Sequence, residues 1–248
     1  MALEERLHLN YDEPGKEVAS IYPTGELIDR LRNYNTKDAL VSFDIAGCLR
    51  KSPEFTIVWK SIPKIWRWIG HPEWLYDFTL TMIAARREGW SMEEIESFSI
   101  RYAEQKVLPH FTNEFKLQVA RKEAPPFYPG VQETVDFLKG SNRIVVSRGF
   151  REIVQVTIDQ LGIERGYYRI DDKGTKILDY AQEIGAKRVL IFGDLQVDVN
   201  AANEIRDSGL QTDLVMVNKK FNPKYFNENA TIFIPRNWGG LYKLMCNT

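Results

Sequence analysis

Cysteine is almost missing from this chain of 248 residues: Cys48 and Cys246 are the only two. They make no disulfide framework, and neither stands in a metal-ligand spacing. Net charge is equally scarce, −1 from 33 Lys and Arg against 34 Asp and Glu. A broad basic footprint for a nucleic-acid backbone is therefore not expected. No uninterrupted apolar run approaches the ~18 residues of a membrane span. The opening Met1-Ala2-Leu3-Glu4-Glu5-Arg6 lacks the basic-then-apolar order of a secretory signal. Histidine is rare, and His8, His71 and His110 stand in no pairing spacing. The expectation is a soluble, cytoplasmic protein with no nucleic-acid or membrane partner. Its 44% apolar and 27% charged residues are ordinary globular values. The length allows one domain or two small ones.

Residues 1 to 38 read as a polar N-terminal extension, with turns at Asp12-Glu13-Pro14-Gly15 and Tyr22-Pro23-Thr24-Gly25. A short amphipathic helix follows over 26–34, and the whole segment is expected to be a surface lead-in packed on the first strand. From residue 39 the pattern alternates. Strands are expected near 39–43, 143–147, 188–192, 213–217 and 231–234, with a weaker one near 167–170. Helical periodicity falls between them, over 131–138, 152–161 and 175–184. Such alternation predicts an α/β fold, a Rossmann-like three-layer core with a parallel sheet covered by helices on both faces.

One connection breaks this scheme. More than seventy residues separate Cys48 from Pro125, with helical patterns over 55–69, 72–87 and 91–108. Ser91 and Glu94 form a capping-box signature at the last of these. A structureless loop of that length is implausible, so 51–124 reads as an inserted helical cap domain. Residues 39–50 and 125–248 then make up the core domain. Pro125-Pro126 and Pro129-Gly130 mark the return.

The chemistry collects at strand ends. Ala39-Leu40-Val41-Ser42-Phe43 runs into Asp44-Ile45-Ala46-Gly47-Cys48. Arg143-Ile144-Val145-Val146 runs into Ser147-Arg148-Gly149, and Val189-Leu190-Ile191-Phe192 into Gly193-Asp194, with Asp198 four residues on. Open α/β sheets hold their sites at such ends. Taken singly, Asp44 is an ordinary turn cap, Ser147 a turn former and Lys173 a solvated charge. Taken together they point to metal-assisted phosphoryl chemistry. Acids four apart after a buried strand desolvate together at high cost unless a cation joins them, and hard oxygen ligands suit Mg²⁺. Lys173, at the start of the helix before the Asp194 strand, would balance the carboxylates and hold a phosphate oxygen.

These pieces resemble, in order, the four motifs of the haloacid dehalogenase superfamily, in particular its phosphoserine-phosphatase-like branch, over residues from about 39 to 240. Asp44-Ile45-Ala46-Gly47-Cys48 is similar to the first motif, Asp-x-Asp-x-Thr/Val, with one carboxylate missing. Ile144-Val145-Val146-Ser147 resembles the second. Lys173, with Lys176 as fallback, resembles the third, and Gly193-Asp194 through Asp198 the fourth. Phe127-Tyr128-Pro129-Gly130-Val131 is similar to the family's re-entry from its cap. The resemblance implies Asp44 as nucleophile, forming an aspartyl-phosphate. It also implies Mg²⁺ held by Asp44, Asp194 and the Ala46 backbone carbonyl, with Asp198 in support. Ser147, Arg148, Gly149 and Lys173 would bind the transferring group of a small phosphorylated molecule.

Ala46 is the departure. In the family's phosphatases the second Asp protonates the leaving oxygen, help worth ~10²–10⁴-fold. Metal ligation there is by main chain and survives the change. Three readings stay open: a slow hydrolase or one using good leaving groups; a phosphonatase-like hydrolase with a cap lysine, Lys60 or Lys64; and a catalytically inactive phospholigand binder. An engineered replacement of a natural aspartate is also open, and a receiver-like signalling domain is disfavoured by the insertion. The five tryptophans between Trp59 and Trp90 read as cap core, or as a substrate wall or homodimer face.

Overall fold

The computed structural model describes residues 7–51, 112–219 and 229–246 continuously, with scattered residues between 80 and 106. The strands are β1 (His8–Tyr11), β2 (Val18–Ser20), β3 (Ala39–Phe43), β4 (Asn142–Val146), β5 (Arg165–Tyr167), β6 (Arg188–Gly193), β7 (Gln211–Asn218) and β8 (Ile232–Pro235). Within the continuously described stretches the α-helices are α1 (Thr24–Asn33), α2 (Asn113–Glu123), α3 (Val131–Phe137), α4 (Arg151–Leu161), α5 (Lys173–Glu183), α6 (Gln196–Asp207) and α7 (Gly239–Cys246).

The eight strands form one sheet in the order β1-β2-β8-β7-β6-β3-β4-β5. From β8 to β5 every pairing is parallel, and β2 alone runs the other way, pairing antiparallel with β1 and with β8. The chain winds outward through β3, β4 and β5, then returns to lay β6 on the other side of β3. That reversal makes the carboxyl ends of β3 and β6 a topological switch point, where such sheets open a crevice.

Two apolar layers explain why the central strands read as unbroken apolar runs. Successive side chains alternate faces. Val41, Phe43, Val145, Leu190 and Phe192 join the cluster under α1, α2, α3, α4 and α7. Leu40, Ile144, Val146, Val189 and Ile191 join the opposite cluster with Ile177 and Ala181 of α5 and Val199 and Ile205 of α6. Both faces are covered, so no polar alternation survives.

The expected strands are all present within a few residues, and α5 begins at Lys173, two residues before the periodicity suggested. The expectation of a surface lead-in over residues 1–38 is overturned. β2 pairs with β8, five strands away from β5 and not against the first core strand. Val18, Leu27, Leu31 and Tyr34 are fully buried. This segment is part of the core because α1 has an apolar stripe with nowhere else to go. Helices α2, α6 and α7 were not anticipated. Most of the expected cap lies outside the described residues, including Lys60, Lys64 and every tryptophan from Trp59 to Trp74. The capping box is formed: Ser91 N donates to Glu94 Oε2 at 2.6 Å and Glu94 N to Ser91 Oγ at 3.2 Å. Among the described residues, no helix is long and apolar enough to cross a membrane.

Candidate active site

Asp44 follows β3 directly, and its amide donates to Phe192 O of β6 at 2.9 Å, continuing the ladder one step past the end of β3. Its side chain is therefore fixed at the crevice. The next turn folds back on itself: Gly47 N donates to Arg50 O at 2.8 Å, and Leu49 N to Ile45 O at 3.0 Å. Arg50 is buried, stacks 3.6 Å over the Phe127 ring and donates to Gln160 Oε1 at 2.7 Å. One guanidinium thus ties the Asp44 turn to the 127–130 loop and to α4. Phe43, Phe192 and Trp238 stack under the turn, with Phe192 4.6 Å from Trp238 and 5.0 Å from Phe43.

Asp194 and Asp198 come from the neighbouring strand tip. Asp198 sits in the first turn of α6, and its Oδ2 accepts from the amides of Asp194 at 3.1 Å and Leu195 at 3.2 Å. Its Oδ1 accepts from Lys173 Nζ at 2.7 Å. Lys173 is 3% exposed and also lies 3.0 Å from Asp44 Oδ1, so one ammonium bridges two carboxylates. Oxygens of Asp44, Asp194 and Asp198 all lie within 4.8 Å of one another. Two glycines make this approach possible. Gly47 has φ +78°, and a Cβ there would fall 1.7 Å from Asp194 Oδ2; a Cβ on Gly193 would fall 2.2 Å from Asp198 Cγ.

The electrostatics are unbalanced. Burial pushes the Asp44 carboxyl up; Lys173 opposes this and Asp198 adds to it, leaving a net rise. Asp194 is held well above the carboxylate range by burial first, then by Asp44 and Asp198. Burial pulls the Lys173 ammonium down, but Asp198 and Asp44 outweigh it and the group stays charged. Asp194 Oδ1 is buried without any hydrogen-bond partner. A hard divalent cation answers each of these features: it joins acids that otherwise repel and gives the orphaned oxygen a partner. Asp44, Asp194 and Asp198 fit Mg²⁺ as a donor set, with Asp198 already committed to Lys173 and two amides.

Ser147 closes β4. Because Phe43 pairs with Val145 on one side and Phe192 on the other, the Ser147, Asp44 and Asp194 tips are neighbours across adjacent strands. Ser147 is 2% exposed, and its Oγ accepts from Gly149 N at 3.1 Å. Gly149 is buried in the same turn and Arg148 half-buried. Lys176, the fallback, lies 4.5 Å over the Tyr167 ring instead, so Lys173 is the lysine among the acids. Sequence reasoning missed Arg236, whose Nη2 lies 3.8 Å from Asp194 Oδ2. It follows Pro235 at the tip of an anticipated strand, so the same strand-end logic could have flagged it. Cys48 is buried in the turn, where burial and then the three acids push its thiol well up, so it stays an inert thiol.

No family model and no curated protein sequence matches the chain. Solved structures do. Cytosolic 5'-nucleotidase IIIB bound to cytidine superposes with a TM-score of 0.60 at 13% identity, over 89% of each chain. A phospho-aspartyl intermediate analogue of phosphoserine phosphatase gives 0.54 at 18% identity, over 84% of this chain and 99% of that one. Phosphoserine phosphatase in its apo form gives 0.53 at 17% identity, over 84% and 98%. At such identities the likeness is one of fold. The chain shares the Rossmann-like α/β fold of these structures.

Proposed function

We propose that this chain is a Mg²⁺-dependent phosphohydrolase of the haloacid dehalogenase type, acting on a small phosphorylated molecule through an aspartyl-phosphate on Asp44. One observation carries the reading: at the switch point, a single buried ammonium, Lys173, is shared by two of three clustered acids. That arrangement has an unmet demand for positive charge where a phosphoryl group and its cation would enter. The phospho-aspartyl analogue solved for a phosphatase of like fold supports the covalent route.

Asp44 would attack phosphorus, its carboxylate oxygen forming the new P–O bond as the ester P–O bond breaks. Lys173 favours the ionised form of Asp44 against its burial and offers a positive charge to the phosphoryl oxygens. Ser147, one strand over, donates its hydroxyl proton to the same group, with Arg148 and Gly149 in its turn. Asp44, Asp194 and the Ala46 carbonyl would hold Mg²⁺, with Asp198 in support; the cation supplies charge neutralisation at the phosphoryl oxygens. Water then attacks phosphorus, releasing inorganic phosphate and restoring Asp44.

Ala46 sets the rate. With no carboxyl group there, the leaving oxygen takes its proton from solvent, which favours esters with good leaving groups. Ala46→Asp is expected to raise turnover of an aryl phosphate by ~10²–10⁴-fold. If neither form turns over any phosphate ester, and Asp44→Asn leaves phospholigand affinity unchanged, the chain is a binder and the hydrolase reading fails.

A further inference from the structure

A second group of polar atoms borders the carboxylates, and all of its members are donors. Arg236 follows β8, with its Nη2 3.8 Å from Asp194 Oδ2 and its guanidinium 5.5 Å from the centre of the Tyr128 ring. Tyr128 is drawn in by its own backbone, whose amide donates to Leu49 O at 2.9 Å in the Asp44 turn. The two loops are clamped together. Trp238 N donates to Pro129 O at 2.7 Å, and a Cβ on Gly130 would meet Gly239 N at 2.5 Å.

Arg236 Nε and Tyr128 Oη are both buried without a hydrogen-bond partner among the described residues. Buried donors are costly to leave unmade, and a native interior leaves few. Two of them, on loops joined beside the site, call for an acceptor-rich occupant. Arginine's planar fork matches a carboxylate or phosphate. Burial pushes the Tyr128 phenol up, so it keeps its proton to donate. The Arg236 side chain remains 30% exposed, which leaves it an open side.

We propose that Arg236 and Tyr128 form an oxyanion subsite that takes a second anionic group of the substrate, across Asp194 from the phosphoryl position at Asp44. This rests on the phosphohydrolase reading and deepens it: the substrate is a phosphate ester that also carries a carboxylate or a second phosphate. One carboxylate separates the two positions, so the groups are a few atoms apart. A cation at Asp44 and Asp194 would offset the repulsion between the Asp194 carboxylate and the second anion.

The test uses non-hydrolysable probes on the intact chain in saturating Mg²⁺, so that it does not depend on turnover. Titration calorimetry compares ethylphosphonate with phosphonoacetate and with 1,2-ethylenediphosphonate. One of the latter two should bind about tenfold tighter or more than ethylphosphonate, and which of them does identifies the second group. Arg236→Gln should bring the ratio of the probe affinities to about one, whatever it does to ethylphosphonate binding itself, and Tyr128→Phe, which keeps the ring, should lose part of the advantage. Equal affinities for all three probes would mean the donors hold only water, and would overturn the subsite while sparing the hydrolase. So would an advantage that survives Arg236→Gln, or a variant whose Mg²⁺ affinity changes but whose probe ratio does not. If ethylphosphonate itself fails to bind, the Asp44 phosphoryl pocket falls, and the subsite with it.

Discussion

Two buried acidic clusters sit on this sheet, built on opposite rules. Asp213, inside β7 and 1% exposed, accepts from the Tyr22 hydroxyl at 2.7 Å through Oδ1 and from the Tyr34 hydroxyl at 2.8 Å through Oδ2, with Arg30 Nη1 3.6 Å away. Burial first, then the Asp213 charge, holds both phenols well up, so they remain donors. One acid there meets two donors and a cation. At the Asp44 crevice, Lys173 bridges only two of three acids, and Asp194 Oδ1 meets no partner among the described residues. The satisfied acid fastens α1 and its flanks to the sheet. The unsatisfied group keeps its binding capacity for something that arrives later, which is how functional sites trade stability for activity.

The sharpest way to break this contrast is to neutralise one acid in each cluster. Asp44→Asn should lower aryl-phosphate turnover by roughly 10³-fold or more, as loss of a nucleophile does. In Mg²⁺-free buffer the same variant should melt higher than the parent, because it relieves crowding among the acids. A lower melting temperature would show that the crevice is held together by its charges, and the contrast would vanish. Lys173→Met should cost about 3–5 kcal/mol by stranding two buried carboxylates. Adding Asp198→Asn to it should recover part of that loss in denaturant unfolding; no recovery would mean that packing, not charge, made Lys173 necessary.

Asp213→Ala is the matching change in the satisfied cluster. It leaves two phenols without their acceptor and should cost about 2–4 kcal/mol. Added Mg²⁺ should raise the melting temperature of this variant and of the parent equally, since the ion binds elsewhere. Restoration of the lost stability by Mg²⁺ would show that the two clusters communicate through β6 and β7.

The contrast also separates what the sequence displays from what it hides. Asp44, Ser147 and Asp194 stand out because each follows an apolar run long enough to be seen as a strand, and Lys173 because it opens the helix before one of them. β2 is hidden because Val18-Ala19-Ser20 is too short to show alternation. Asp213 reads as the polar start of a strand; nothing near it in sequence announces Tyr22 or Tyr34, whose bonds to it span 191 and 179 residues. Tyr128 and Arg236 are likewise joined only by the fold. Chemistry repeated at strand tips is legible because the sheet brings tips together by rule, whereas contacts between distant loops follow no spacing. The cap tryptophans up to Trp74 and the cap lysines Lys60 and Lys64 fall outside the described residues.

The smallest effect concerns a third acid, at the surface, that is satisfied but not buried. Glu13 accepts from Lys16, from the Tyr11 hydroxyl at 2.6 Å and from Lys243 at 3.0 Å, clipping the turn after β1 to α7. Those bonds, Lys16 first, lower its carboxyl from the ordinary 4.5 to about 2. A carboxyl with a depressed folded pKa contributes stability above its unfolded value and loses it as pH falls from there toward the folded one. The window is therefore between 4.5 and about 2. Solvent and salt screen so exposed a group, which keeps the gain small. Glu13→Gln should melt slightly below the parent at neutral pH in low salt. The two melting temperatures should converge as the pH drops through that window, and converge again when salt is added at neutral pH. A gap unchanged by acid would mean that Glu13 works through shape and not charge.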